Sequence, residues 1–143
     1  IKSQGFERIM IFWNTKHMCQ RLCDEFQRAG LDCECIHGDI RQSQREKTMQ
    51  RYRDGKLAIL IATDVASRGI DVDDVDCVIN FDIPVTAESY THRAGRTGRM
   101  GKTGVVVNVV GNSFDEKNVK QYQKQPEKVL KAGEFISLKW YNI

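Results

Sequence analysis

Arg8-Ile-Met-Ile-Phe-Trp-Asn-Thr15 runs through five consecutive apolar residues and ends in Asn14-Thr15, two residues that can cap a helix. A segment that is apolar at every position, not at alternate ones, suits a strand buried on both faces, as in a parallel sheet. Residues 16–29 then set Met18, Leu22, Phe26 and Ala29 at i, i+4, i+8 and i+11, a helical stripe. Gly30 stops it.

The same alternation repeats down the chain. Residues 31–36 read as a second strand, followed by His37-Gly38-Asp39. Ser43-x-x-Glu46 has the form of a capping box, which predicts a helix from about residue 43 to 53. Asp54-Gly55 turns the chain into a third strand, Leu57-Ala-Ile-Leu-Ile61, after which Thr63-Asp64 caps a short helix that Gly69 ends. Residues 75–81 form a fourth strand closed by Asp82-Ile-Pro84. Thr86 then caps a helix carrying Tyr90 and His92. Residues 102–110 give a fifth strand. Ser113-x-x-Glu116 reads as a second capping box, opening a polar helix to about residue 124 that Pro126 breaks. The remainder reads as one more helix and a short end bearing Trp140 and Tyr141. Five apolar strands alternating with helices predict an α/β domain: three layers, a mostly parallel sheet with helices on both faces. Asn14-Thr15, His37-Gly38-Asp39, Thr63-Asp64 and Asp82 each follow the carboxyl end of a strand, the edge where open α/β sheets bind ligands.

A chain of 143 residues is large enough for one core. Its net charge of +3 is too weak to announce nucleic acid by itself, but Arg41, Arg45, Arg51, Arg53, Arg68, Arg93, Arg96 and Arg99 crowd its middle. Five cysteines, an odd number, go with free thiols in a reducing, intracellular setting, cytoplasmic or nuclear. Cys19 with Cys23 and Cys33 with Cys35 lack the C-x2-C spacing of a zinc site, so they read as small apolar residues on a helix and a strand, with no metal expected. No long apolar span is present, so no membrane contact is expected. The chain starts at Ile1, and a strand follows within a few residues, as expected of a piece of something longer.

The densest chemistry lies in Tyr90-Thr-His-Arg-Ala-Gly-Arg-Thr-Gly-Arg-Met-Gly101. Arg93, Arg96 and Arg99 stand three apart, with Gly95, Gly98 and Gly101 between them. Glycine allows close approach of the backbone or a positive φ, and arginine's planar fork matches phosphate oxygens. Together they describe a turn that aims guanidinium groups at a polyphosphate.

His-Arg-x-Gly-Arg-Thr-Gly-Arg resembles the last motif of the DEAD-box family of ATP-dependent RNA helicases, and His92 favours that branch over relatives that begin the motif with Gln. Other family motifs appear in order: Ile11-Phe-Trp-Asn-Thr15, His37-Gly-Asp-Ile-Arg-Gln-Ser-Gln-Arg-Glu46, Ala62-Thr-Asp-Val-Ala-Ser-Arg-Gly-Ile-Asp71 and Val78-Ile-Asn-Phe-Asp-Ile-Pro84. The resemblance covers about residues 8 to 110 and is to the second, C-terminal RecA-like lobe. Residues 1–125 would be that domain and 126–143 an extension of it. Trp13, Thr91 and Ala94 depart from the family's usual residues but remove no chemical group.

The resemblance implies roles. Arg99 would be the arginine finger on the ATP γ-phosphate, with Arg96 beside it. His92 would contact the acidic motif across the cleft, or else pack within its own motif. Gly69 and Asp71 would lie near the nucleotide ribose. Arg93 would pair inside the lobe, with Asp64 or Asp71 as candidates. Gly38, Asp39, Gln42, Arg45 and Thr63 would face the RNA backbone; Asn14 and Thr15 are weaker candidates, since capping accounts for them. Arg68 would either reach RNA or tie its motif together. Contacts with backbone and 2′-hydroxyls distinguish RNA from DNA without reading sequence. The phosphate loop and the Asp-Glu-Ala-Asp motif are absent from this sequence; the family keeps both, with the Mg2+ site, in its first lobe. The fragment alone is therefore expected to be inactive. In a full-length, monomeric protein it would meet that N-terminal lobe, ATP, Mg2+, RNA and protein regulators. A DNA-directed relative, or a docking and RNA-binding module without turnover, are the other readings.

Overall fold

The computed structural model describes residues 5–68, 72, 74–98 and 104–123, and the backbone of 133–139. The chain divides into two compact units, Ile1–Val72 and Asp73–Ile143.

In the first unit the three strands are β1 (Ile9–Phe12), β2 (Cys33–Ile36) and β3 (Ile59–Ala62). β3 lies between the other two and pairs parallel with both, Phe12 and Ile36 each opposite Ala62. All four residues of β1 and of β3 are buried, as the unbroken apolar runs require when both faces of a sheet are covered. Helix α1 (Lys16–Arg28) buries Cys19, Leu22 and Cys23. Met18 and Phe26 lie at its margin and Ala29 is exposed, so the buried stripe runs beside the expected one. The cysteines are small apolar residues on a helix and a strand, as expected, all five buried as free thiols. Gly30, at φ +81°, ends α1, its N–H donating to Gln27 O while Leu31 N–H donates to Phe26 O.

Helix α2 (Gln42–Arg53) starts one residue before the expected Ser43. Its N-cap is Arg41, with no side-chain cap, so the Ser43 capping box does not form. Gln42 Nε2 donates instead to Glu46 Oε1. Tyr52 seats the helix on β1: its hydroxyl donates to Ile9 O at 3.0 Å, and Arg8 lies over its ring. The short α3 (Asp64–Ser67) is capped as expected by Thr63, whose Oγ1 accepts from Ala66 N.

In the second unit β5 (Gly104–Val110) lies between β4 (Cys77–Asn80) and β6 (Gly133–Lys139), parallel to both. β6 corrects the expectation of a helix near the end. Gly133-Glu-Phe-Ile-Ser-Leu-Lys139 is strand-length and starts at a glycine, and parallel pairing along seven residues of β5 outweighs local helix propensity. Val75 stands apart from β4 as a single bridge to Thr97. Helix α4 (Ala87–Ala94) is capped by Thr86, as expected. Helix α5 (Ser113–Gln123) is capped from Asn112, which corrects the expected Ser113-x-x-Glu116 box: Asn112 Oδ1 accepts from Asp115 N, and Asp115 Oδ2 accepts from Gly111 N. Every strand pairing within the two units is parallel, which with the covering helices makes the fold a RecA-like α/β domain.

Candidate nucleotide and strand-binding surfaces

The register of the first unit sets its loops. Because Phe12, Ala62 and Ile36 align across three parallel strands, Trp13-Asn14, Thr63-Asp64 and His37-Gly38 leave the sheet at one level. The loops are joined by polar contacts. Asn14 Oδ1 accepts from Asp64 N at 3.1 Å, so Asn14 serves the start of α3. Lys16 Nζ pairs with Asp39 Oδ1 at 3.1 Å in the open, a contact the sequence reading missed. Such an exposed pair adds little stability.

His37 is buried and shapes the next turn. Its Nδ1 accepts from Asp39 N at 3.2 Å, which places the ring proton on Nε2, 3.0 Å from Gln20 Oε1. Burial holds its pKa below the ordinary histidine value; Lys16 adds to that lowering and Asp39 opposes it. A neutral ring is what this hydrogen-bond pattern needs. At Gly38 an added Cβ would meet nothing within 4 Å, so the turn itself does not require glycine there.

Arg45 is half-buried and its Nη2 donates to Ala66 O at 3.3 Å, tying α2 to α3. Thr63 is buried, its oxygen occupied by the cap while its hydrogen stays available to donate. Gln42, Arg45, Glu46, Gln50 and Arg53 form one face of α2, and with Arg68 they line an open groove of about 470 Å³. Gln50 and Arg53 were not assigned to a site from the sequence, although their i+8 and i+11 spacing from Gln42 places them on that face.

The second unit carries the arginine segment. Arg93 is 1% exposed. Its Nη1 donates to Asp82 O at 2.8 Å and to Asn80 Oδ1 at 3.3 Å, and lies 3.0 Å from Asp82 Oδ1. Arg93 thus pairs within the lobe, as expected. Among the described residues of its unit the partner is Asp82; of the two candidates named from the sequence, Asp71 lies outside the described residues. His92, on the opposite side of α4, is exposed. Arg96 is half-buried just past the helix; its carbonyl accepts from Val75 N at 3.2 Å, and Thr97 Oγ1 donates to Val75 O. Gly98, at φ +69°, turns the chain beyond it. Gly69, Asp71 and Arg99 lie outside the described residues.

One glycine outside the motif matters as much as those inside. A Cβ on Gly104 would lie 2.6 Å from Thr97 Oγ1 and 2.8 Å from Gly98 Cα. The start of β5 therefore has to be bare for the arginine turn to sit where it does. Among the described residues no group of three His, Cys, Asp or Glu side chains is arranged to hold a metal.

A parallel α/β scaffold with loops gathered at strand ends and a glycine-flanked arginine turn defines the class, and comparison with known proteins defines the family. The profile described as the helicase conserved C-terminal domain matches residues 1–101. ATP-dependent RNA helicase DeaD of Buchnera aphidicola is 45% identical over 112 residues, 78% of this chain and 19% of that protein. The structure of the C-terminal domain of the DEAD-box protein Dbp5 superposes with a TM-score of 0.81 at 28% identity, covering 96% of this chain and 79% of the other. The RNA helicase Prp28 from Chaetomium thermophilum, solved bound to ADP, gives 0.78 at 39% identity over 93% of this chain and 33% of the other. This chain belongs to the helicase C-terminal domain family, in its DEAD-box branch. It spans only 13% to 28% of curated relatives such as Prp28 of Aspergillus oryzae and RhlB of Pseudomonas syringae.

Proposed function

We propose that this chain works as the second lobe of an RNA-dependent ATPase and helicase, in a longer protein whose first lobe holds ATP and Mg2+. The observation that carries the reading is the placement of the arginine segment. Buried Arg93 pairs with Asp82 and anchors α4, which ends in exposed His92 and in the turn of Arg96, Thr97 and Gly98, itself fastened to Val75 through the backbone. A turn held in this way sets the direction of the segment that matches the family's motif.

In this reading Arg96 and Arg99 approach the γ-phosphate when the lobes close. They stabilise the charge spread over the transferring oxygens, with Arg99 as the finger, an effect of about 10³–10⁵ in rate. His92 contacts the first lobe across the cleft, and Gly69 and Asp71 border the ribose. Gly38, Asp39, Gln42, Arg45 and Thr63 grip the RNA backbone through a turn, a cation and a hydroxyl at neighbouring strand ends, and read no base edges. Mg2+, when bound with ATP, supplies charge neutralisation at the phosphates. Closure that depends on both ligands couples hydrolysis to strand separation.

The test is ATP turnover by the longer protein with single-stranded RNA or DNA, for wild type and Arg99→Ala. The expected result is turnover stimulated by RNA and lost in the variant, with none from the 143-residue chain alone. Equal stimulation by DNA would move the protein to a DNA-directed class. No turnover in the wild type would leave a binding module.

A further inference from the structure

Tyr90, Arg93, Asn80 and Asn108, all buried in the second unit, form a closed circuit. Asn80 of β4 and Asn108 of β5 are register partners, both fully buried. Asn80 Nδ2 donates to Asn108 Oδ1 at 2.9 Å, and Asn108 Nδ2 donates to Tyr90 Oη at 3.0 Å. Arg93 Nη1 donates to Asn80 Oδ1 at 3.3 Å. The chain of donors therefore runs one way, from Arg93 through Asn80 and Asn108 to Tyr90. Its two ends are three residues apart on α4, one helical turn, so the helix itself closes the ring.

Two anchors one turn apart, joined through two strands, do more than hold the helix down. They fix its rotation about its own axis. A fully apolar face packs nearly as well after a small rotation, but a satisfied polar circuit has one geometry, and leaving it unpairs buried groups. The ring of Tyr90 is backed by Tyr122 at 5.1 Å, whose hydroxyl donates to Pro84 O, so the loop leaving β4 is held from the same side. The parts whose direction this fixes are His92, between the two anchors, and Arg96, one turn beyond Arg93.

We infer that Tyr90, Asn108 and Asn80 are positioning residues for the arginine segment: they set the angle at which α4 delivers His92 and Arg96. None of the three would touch ATP or RNA. The inference rests on the proposed function for its catalytic consequence, and on the circuit alone for its structural one.

The experiment uses the full-length protein with Tyr90→Phe and Asn108→Leu, each removing one link while keeping side-chain bulk. Two quantities are read: kcat and KM for ATP at saturating RNA, and hydrogen exchange of the peptide spanning residues 90–98. The expected outcome is a kcat reduced about 10–100-fold, the scale that a 1 Å misplacement of a reacting group produces. KM for ATP and RNA affinity stay near wild type, and exchange at residues 90–98 rises above that of the rest of the domain. Unchanged kcat with a lower melting temperature would make the circuit merely structural and overturn the inference, as would unchanged exchange at 90–98. If Asn108→Leu does not fold, Tyr90→Phe, which deletes one oxygen at the circuit's end, decides alone. A wild type without RNA-stimulated turnover sinks the proposed function, and the exchange measurement still decides whether the circuit orients α4.

Discussion

Replacing Arg93 with Met asks how much of the second unit depends on one guanidinium. Met keeps an apolar stem of similar reach and supplies no donor. The contacts that disappear include Asp82 O at 2.8 Å, Asp82 Oδ1 at 3.0 Å and Asn80 Oδ1 at 3.3 Å. Water does not replace the cation, because Arg93 is 1% exposed and the facing Asp82 Oδ1 is itself buried, although the Asp82 side chain as a whole is 30% exposed. Breaking a buried ion pair from one side costs about 3–5 kcal/mol. The partial exposure of Asp82 puts the expected loss at the low end, about 3 kcal/mol. Asp82→Asn keeps a neutral acceptor but strands a guanidinium that is 1% exposed without its counter-charge, so it should cost at least as much, about 3–5 kcal/mol. Urea unfolding of the 143-residue chain, followed by circular dichroism, measures both. With a slope of about 2 kcal/mol/M, Arg93→Met shifts the midpoint down by about 1.5 M. A loss below about 1 kcal/mol in either variant would refute the reasoning that this buried pair holds the unit together.

Three further outcomes are expected. Gly104→Ala drives a Cβ against Thr97 Oγ1 and the Gly98 backbone, which cannot step aside as a side-chain tip can, and should cost about 1–3 kcal/mol in the same urea assay; a neutral result would mean the arginine turn is looser than described. Gly38→Ala has open space before it, so stability should stay within about 0.5 kcal/mol of wild type while RNA affinity of the full-length protein, measured by fluorescence anisotropy, falls; unchanged affinity removes Gly38 from the strand surface. His37 has a folded pKa below its unfolded value, so its contribution is fully present above about pH 6.5 and is lost as pH falls below that, when the unfolded chain takes up the proton first. Wild type should lose more stability than His37→Gln between pH 7.5 and 5.5, and parallel losses would show that His37 is not the sensitive group.

What the sequence disclosed depended on how local the physics is. The strands were legible because burial on both faces writes itself as an unbroken apolar run, as in Ile9–Phe12 and Ile59–Ala62. Thr63 and Thr86 were legible as caps because each acts on a residue three further on. The two Ser-x-x-Glu boxes misled, because a spacing rule carries no phase. Arg41 caps α2 without a side chain, and Asn112-x-x-Asp115 performs the function read into Ser113-x-x-Glu116. β6 was hidden because its partner strand, not its own composition, makes it a strand. Of the site, the motif residues could be named, but the pairing of Arg93 with Asp82 was not. Asn80 and Asp82 meet Arg93 at the end of β4, and a contact between residues 28 apart, such as Asn80 with Asn108, has no signature along the chain.

The common level at which Trp13, His37 and Thr63 leave their strands has an evolutionary consequence. Each loop starts from a rigid strand end, so lengthening or rewriting one of them leaves the apolar ladder beneath untouched. Selection can retune how such a surface holds its ligand one loop at a time, with the stability of the scaffold nearly constant. The polar circuit around Arg93 offers no such freedom: its members can change only together, and that part of the domain should drift slowest.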